Sequence, residues 1–176
     1  MQAEPPSVPI SIAREQQLIK LLMVYLIAGL LFMVLPGTFL GVWNLFAISN
    51  AQSATSVPAA WIQAHGHAQL FGWIGSFILG IGFYSIPNLR RVSAWSFWDG
   101  WLIWAFWTAG VALRWLADVY LWQWRVLLPL AGVFELVAVM IFLLRSMQGS
   151  GIAKLSPGAK SKSRAKPSHT GNFLIA

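Results

Sequence analysis

Residues 21–48 read LLMVYLIAGLLFMVLPGTFLGVWNLFAI and contain no charged side chain. Asp, Glu, Lys and Arg remain absent from Leu21 all the way to Leu89. About 20 apolar residues suffice for one helical crossing of a bilayer, so this stretch is long enough for two crossings joined by a neutral loop. It therefore predicts that the chain spans a membrane.

The composition of the whole chain predicts the same class. Its 176 residues are 57% hydrophobic and 10% charged, whereas soluble domains are about 25% charged. The lipid bilayer is therefore the expected main partner of the surface. Cysteine is absent, which excludes disulfides, thiolate metal sites and iron–sulfur clusters held by this chain.

The sequence predicts an all-α, polytopic membrane protein, a bundle of about four transmembrane helices. The predicted transmembrane domain covers residues 18–145, with spans at 18–48, 61–86, 97–121 and 125–144. A kink or a break is expected at Pro36, because proline has no N–H to donate. Residues 1–17 are expected to form a cytoplasmic lead-in and residues 146–176 a disordered basic tail. The first apolar run exceeds the roughly 7 to 15 residues of a signal peptide, so we expect it to be retained.

The distribution of basic residues predicts the orientation. Excess Lys and Arg mark the cytoplasmic side of membrane proteins. In a four-span arrangement they fall mainly on one side, in the lead-in, the second connection and the tail (Arg14, Lys20, Arg90, Arg91, Lys154, Lys160, Lys162, Arg164 and Lys166). Both termini are therefore expected in the cytoplasm, in a multi-pass protein of the cell membrane. The net charge of +7 is expected to meet anionic lipid, not nucleic acid.

Ionisable side chains inside membrane spans are costly and are candidates for function. Two of them, His65 and His67, open the second span. Helical positions two apart point to nearly opposite sides, so the two imidazoles cannot chelate one metal from a regular helix. His65 heads a small-residue stripe formed by Ala68, Gly72, Ser76 and Gly80. Such a stripe admits either another helix or a flat macrocycle, and both interpretations stay open.

The third and fourth spans carry Arg114, Asp118 and Glu135. Arg114 and Asp118 are four residues apart, the spacing of a local ion pair. Glu135 falls near mid-membrane, and in an antiparallel hairpin it is expected beside Gly110, within reach of Arg114. The interpretations are a structural Arg114–Glu135 link, a proton-transfer role for Glu135, or contact of Arg114 with a heme propionate. Gln69, near the start of the second span, is a further structural polar residue.

The second span resembles a known group of proteins over about residues 61–88. The segment His65-Gly66-His67-Ala68-Gln69-Leu70-Phe71-Gly72-Trp73, followed by Phe77-Ile78-Leu79-Gly80 and Ile86-Pro87-Asn88, resembles the NnrS family. It is also similar to the second helix of subunit I in heme-copper oxidases and to that of nitric-oxide reductases. In those families the histidine six residues before the Phe-Gly-aromatic element is an axial heme ligand. The resemblance thus implies heme with His65 as its axial ligand. Those families have about twelve spans and further histidines that this chain lacks, so a complete oxygen- or nitric-oxide-reducing centre is not expected. Arg114, near the heme propionates, and His67 are the other candidate cofactor-binding residues.

The leading hypothesis is a heme-binding or electron-transfer subunit that is not a complete enzyme on its own. The second axial ligand is then expected from Met33, Met140, a second copy of the chain or another oxidoreductase subunit. Copper is not expected, since the remaining histidine, His169, lies in the tail. The alternatives are a cofactor-free membrane scaffold that uses the stripe to bind another protein, and a small pH-dependent transporter that uses His65, His67 and Glu135.

Overall fold

The computed structural model describes residues 12–90, 96–121 and 123–148. These residues form helices and short connections, with no strand among them. Four helical stretches are long and apolar enough to cross a membrane: Ile12–Ala51, Ala59–Pro87, Phe97–Tyr120 and Trp124–Met147. The predicted all-α, four-span membrane class is therefore confirmed. Arg91, His169, most of the lead-in and the expected tail from residue 149 onward lie outside the described residues. Residues 146–148 are not tail as predicted, because the last helix continues through them to Gln148.

The first span does not break at Pro36. Helix α1 covers Ile12–Phe32 and α2 covers Phe39–Ala51, and a π-helical turn over Met33–Thr38 joins them. In this first π turn the N–H of Phe39 donates to the carbonyl of Val34, five residues back. Pro36 has no N–H, and the wider turn absorbs the missing bond while the helix continues. The span also begins at Ile12, inside the predicted lead-in, with Glu15 in its first turn, where a carboxylate complements the helix dipole.

The second span also contains a π turn. Helix α3 covers Ala59–His67, a second π turn covers Ala68–Gly75, and α4 covers Ser76–Arg90. Pro87 does not end this helix, which continues to Arg90. The connection before α3 contains a short 3-10 turn over Ala54–Ser56, in which the side chain of Ser53 accepts from the N–H of Thr55.

The third and fourth spans form an antiparallel hairpin. Helix α5 covers Phe97–Tyr120 and α6 covers Trp124–Gln148. Leu121 and Gln123 adopt left-handed φ angles of 53° and 47°, and these conformations reverse the chain within a few residues. The short turn expected at residues 122–124 thus falls here, although Trp122 lies outside the described residues.

The interior packs the first two spans onto α5. Tyr25, Phe83, Ile103 and Val111 are among its most buried side chains. The hydroxyl of Tyr25 donates to the carbonyl of Gly100 at 2.9 Å, which links the first and third spans. Large apolar side chains cover much of the outer surface, as expected where lipid replaces water.

Candidate functional site

His65 is held by the first π turn. Its Nδ1 lies 2.8 Å from the carbonyl oxygen of Gly37. A carbonyl can only accept a hydrogen bond, so this contact requires the proton on Nδ1. In the neutral ring, Nε2 then carries the lone pair and is the nitrogen that can coordinate a metal. Metal-bound histidines are commonly oriented in this way, with the other ring nitrogen donating to a group such as a backbone carbonyl.

A close approach of the second span to the first sets the position of this ring. A Cβ atom built on Gly41 would lie 2.6 Å from Cε1 of His65 and 2.9 Å from Nδ1. Only glycine at position 41 lets the imidazole lie against the helix backbone in this way. The neighbouring Gly66, by contrast, faces open space. Gly37, Gly41 and His65 therefore form one local unit in which both glycines belong to the first span.

A groove of about 420 Å³ lies beside this unit. Its lining combines apolar side chains with four polar ones, Thr38, Asn44, His65 and Gln69. Asn44 is 6% exposed, and its Nδ2 makes a long 3.4 Å hydrogen bond to the carbonyl of Trp61. Its Oδ1 has no hydrogen-bond partner. A buried polar group without a partner costs free energy, most of all in an apolar surrounding, so this groove is the strongest candidate for a ligand site in the described chain.

His67 points away from His65, as helical geometry predicts. Its Nε2 lies 2.7 Å from Oε1 of Glu135 on α6, and both side chains are 13% exposed. The ring of His67 stacks on Phe71, with centroids 4.4 Å apart and planes 15° from parallel. Glu135 lies beside Gly110, as the hairpin register predicts, because a Cβ built on Gly110 would be 2.7 Å from Cγ of Glu135.

The interpretation that paired Arg114 with Glu135 is wrong. Nε of Arg114 instead donates to Oδ2 of Asp118 at 2.9 Å, the local pair that the four-residue spacing indicates. The guanidinium of Arg114 pairs with Asp118, the nearer carboxylate on the same helix. The carboxylate of Glu135 pairs with the imidazole of His67. Arg114 and Asp118 lie on α5 and do not line the groove beside His65, so the structure does not bring Arg114 together with His65.

The small-residue stripe is covered by the first span. A Cβ built on Gly72 would lie 2.6 Å from Cβ of Phe32, and one built on Gly80 would lie 2.7 Å from Cβ of Tyr25. Ala68 and Ser76 are both fully buried. Between the two interpretations of the stripe, the structure contains helix packing, and a macrocycle has no room on this face. A flat ligand of His65 would therefore have to lie in the groove beside His65.

The described residues offer few further metal ligands near His65. They contain no group of three or more His, Cys, Asp or Glu side chains that could hold an ion. Met33 lies in the first π turn and Met140 is 46% exposed on α6. Neither methionine lines the groove. A metal at His65 would therefore need to bring most of its own ligands.

A second, larger groove of about 570 Å³ lies between the first span and α5. Its lining includes Trp43, Trp61 and Trp115 but no charged side chain. Trp61 is fixed there by a 3.2 Å hydrogen bond from its Nε1 to the carbonyl of Val119. The apolar lining suits lipid chains, whereas the chemistry of imidazole and amide groups is concentrated in the smaller groove.

The sequence-based site omitted Gly37, Gly41 and Asn44. The signal that was available is the spacing of the two glycines, four residues apart next to Pro36, which marks a face where a neighbouring side chain can approach the backbone. Searches of protein families, curated proteins and solved structures with this chain gave no match.

Proposed function

We propose that this chain is a membrane heme-binding protein, an electron-transfer subunit in which Nε2 of His65 is the axial ligand of the iron. The observation that carries the proposal is the 2.8 Å contact between Nδ1 of His65 and the carbonyl of Gly37, which leaves Nε2 as the nitrogen with a lone pair. Heme supplies one-electron redox chemistry when it is bound.

The set of available donors favours heme over a bare metal ion. A porphyrin brings four nitrogen ligands with it, so one imidazole from the protein is sufficient. The groove beside His65 is apolar over most of its lining, which suits a macrocycle. Its amide and hydroxyl groups, on Asn44, Gln69 and Thr38, are available to polar substituents. The resemblance of residues 61–88 to heme-binding membrane proteins supports the same ligand.

The protein would act as part of a larger electron-transfer system. If heme is bound, His65 would be the ligand that this chain supplies, and a second copy of the chain or another oxidoreductase subunit would supply any further ligand. Orientation is part of the same proposal, with the protein in the cell membrane and both termini in the cytoplasm. The basis for this orientation is the bias of Lys and Arg toward that side.

The reduced-minus-oxidised visible spectrum of the purified full-length protein tests the proposal. We expect stoichiometric heme bands in the unsubstituted protein, their loss in His65→Ala, and their retention in His67→Gln. Glutamine is the matched control because its amide N–H can still donate to Glu135. If the folded protein carries no heme after expression with ample heme supply, the result would favour the alternative function as a cofactor-free membrane scaffold. The partner would then bind elsewhere than the stripe, which the first span covers.

A further inference from the structure

Helix α3 is attached to each of the other three spans. Nδ1 of His65 donates to Gly37 of the first span at 2.8 Å. Nε1 of Trp61 donates to the carbonyl of Val119 on α5 at 3.2 Å. Nε2 of His67 lies 2.7 Å from Glu135 on α6. This nine-residue helix is therefore oriented by side-chain bonds in three directions.

The hydrogen bonds of His65 and His67 lie on nearly opposite sides of α3. The two residues are two positions apart, or about 200° around the helix axis. A rotation of α3 that draws His67 away from Glu135 must also move His65 relative to Gly37. The second π turn directly follows His67, and the extra residue in such a turn changes the register of the helix above it by about 100°. His65 and His67 are therefore turned by about 100° relative to α4 compared with their places on a continuous α-helix.

The fourth span reaches His67 because α5 has no side chain at position 110. The Cγ atom of Glu135 occupies the place beside Gly110 where a Cβ would come within 2.7 Å. Any larger residue there would displace the carboxylate. Phe71, stacked at 4.4 Å, holds the plane of the His67 ring so that Nε2 meets Oε1 of Glu135.

We propose that Glu135 is a positioning residue for His65. By holding His67, it fixes the rotation of α3, keeps Nδ1 of His65 on the carbonyl of Gly37, and so keeps the lone pair of Nε2 available to coordinate iron. The role of Nε2 as ligand rests on the proposed function. The effect of Glu135 on the tautomer of His65 does not depend on heme and can be measured in the heme-free protein.

The tautomer of His65 in the heme-free protein provides the first test. Selective 15N labelling of histidine distinguishes Nδ1–H from Nε2–H by nitrogen chemical shift, and substitution of each histidine in turn assigns the signals. We expect a single Nδ1–H form of His65 in the unsubstituted protein and in Glu135→Gln, whose amide oxygen still accepts from His67. In Glu135→Ala we expect a mixture of both tautomers.

Heme affinity provides the second test. Loss of a group that orients a metal ligand weakens binding by roughly 10 to 100-fold, so we expect the heme dissociation constant of Glu135→Ala to rise by about 10-fold, with a shifted Soret band. Gly110→Val removes the same bond without changing Glu135 or His67 and serves if Glu135→Ala does not fold. Gly132→Val is its control, because Gly132 faces open space.

The two outcomes separate the two proposals. A single His65 tautomer and unchanged heme binding in both folded Glu135→Ala and folded Gly110→Val would overturn the positioning role. Absence of heme from the unsubstituted protein would instead overturn the proposed function, while the tautomer of His65 would still report whether Glu135 positions it.

Discussion

The imidazole of His65 lies against the backbone of Gly41, close enough that a Cβ at position 41 would come within 2.6 Å of Cε1. Gly37 and Gly41 lie four residues apart on the first span. Close contact of the His65 ring with Gly41 therefore also brings the ring to the carbonyl of Gly37. The candidate ligand thus comes from one span and the surface that orients it comes from another.

Gly41→Ala should weaken heme binding by about 10-fold, because the ring must leave its place and lengthen the bond from Nδ1 to Gly37. Heme titration of the purified apoprotein measures the change. Gly66→Ala is the matched control: it adds the same methyl group next to His65 in the chain, but in open space. Equal affinities for the two variants would show that contact with Gly41 does not position the ring.

Pro36→Ala should raise stability and lower heme affinity together. Proline inside a helix is unfavourable by about 3 kcal/mol, and alanine restores the missing N–H donor. The π turn over Met33–Thr38 is then expected to relax to a regular helix, which rotates the carbonyl of Gly37 away from His65. Thermal unfolding in detergent and heme titration measure the two effects. Unchanged heme affinity in Pro36→Ala would show that the π turn does not position His65 for heme binding.

The sequence predicted the number and approximate extent of the spans because each depends on a local property, an apolar run of sufficient length bounded by charge or a turn. The position of Glu135 beside Gly110 was also predictable, since a tight hairpin turn fixes the register of two antiparallel helices. These features require no knowledge of how the second span lies on the hairpin.

The partner of Glu135, by contrast, depends on how the second span packs against the hairpin of the third and fourth spans. His67 reaches it from a span that is distant in sequence, and Asp118 holds Arg114 from only four residues away. Helical periodicity left the use of the stripe open, because a stripe of small residues fits a helix or a flat ligand equally well. The π turns were missed for a related reason: after Pro36 a helix can break, kink or widen, and the packing of the whole bundle selects among these.

Packing of the stripe against the first span predicts a difference between two glycines. Gly80→Ala should destabilise the protein by about 1 to 3 kcal/mol, because its Cβ would lie 2.7 Å from Cβ of the fully buried Tyr25. Gly132→Ala introduces its methyl group into open space and should be neutral or stabilising by up to about 1 kcal/mol. Thermal unfolding of both variants in the same detergent measures the difference. Similar unfolding temperatures would argue against close packing of the second span on Tyr25.

The natural absence of cysteine makes the proposed orientation testable with single substitutions. Ala54→Cys places a thiol in the connection between the first two spans, and Ser96→Cys places one at the start of α5, both at exposed positions. With both termini cytoplasmic, a membrane-impermeant maleimide should label position 54 in intact cells, or in spheroplasts if an outer envelope blocks access. Position 96 should be labelled only after permeabilisation. The opposite labelling pattern would invert the protein and place His65 and its groove near the cytoplasmic face.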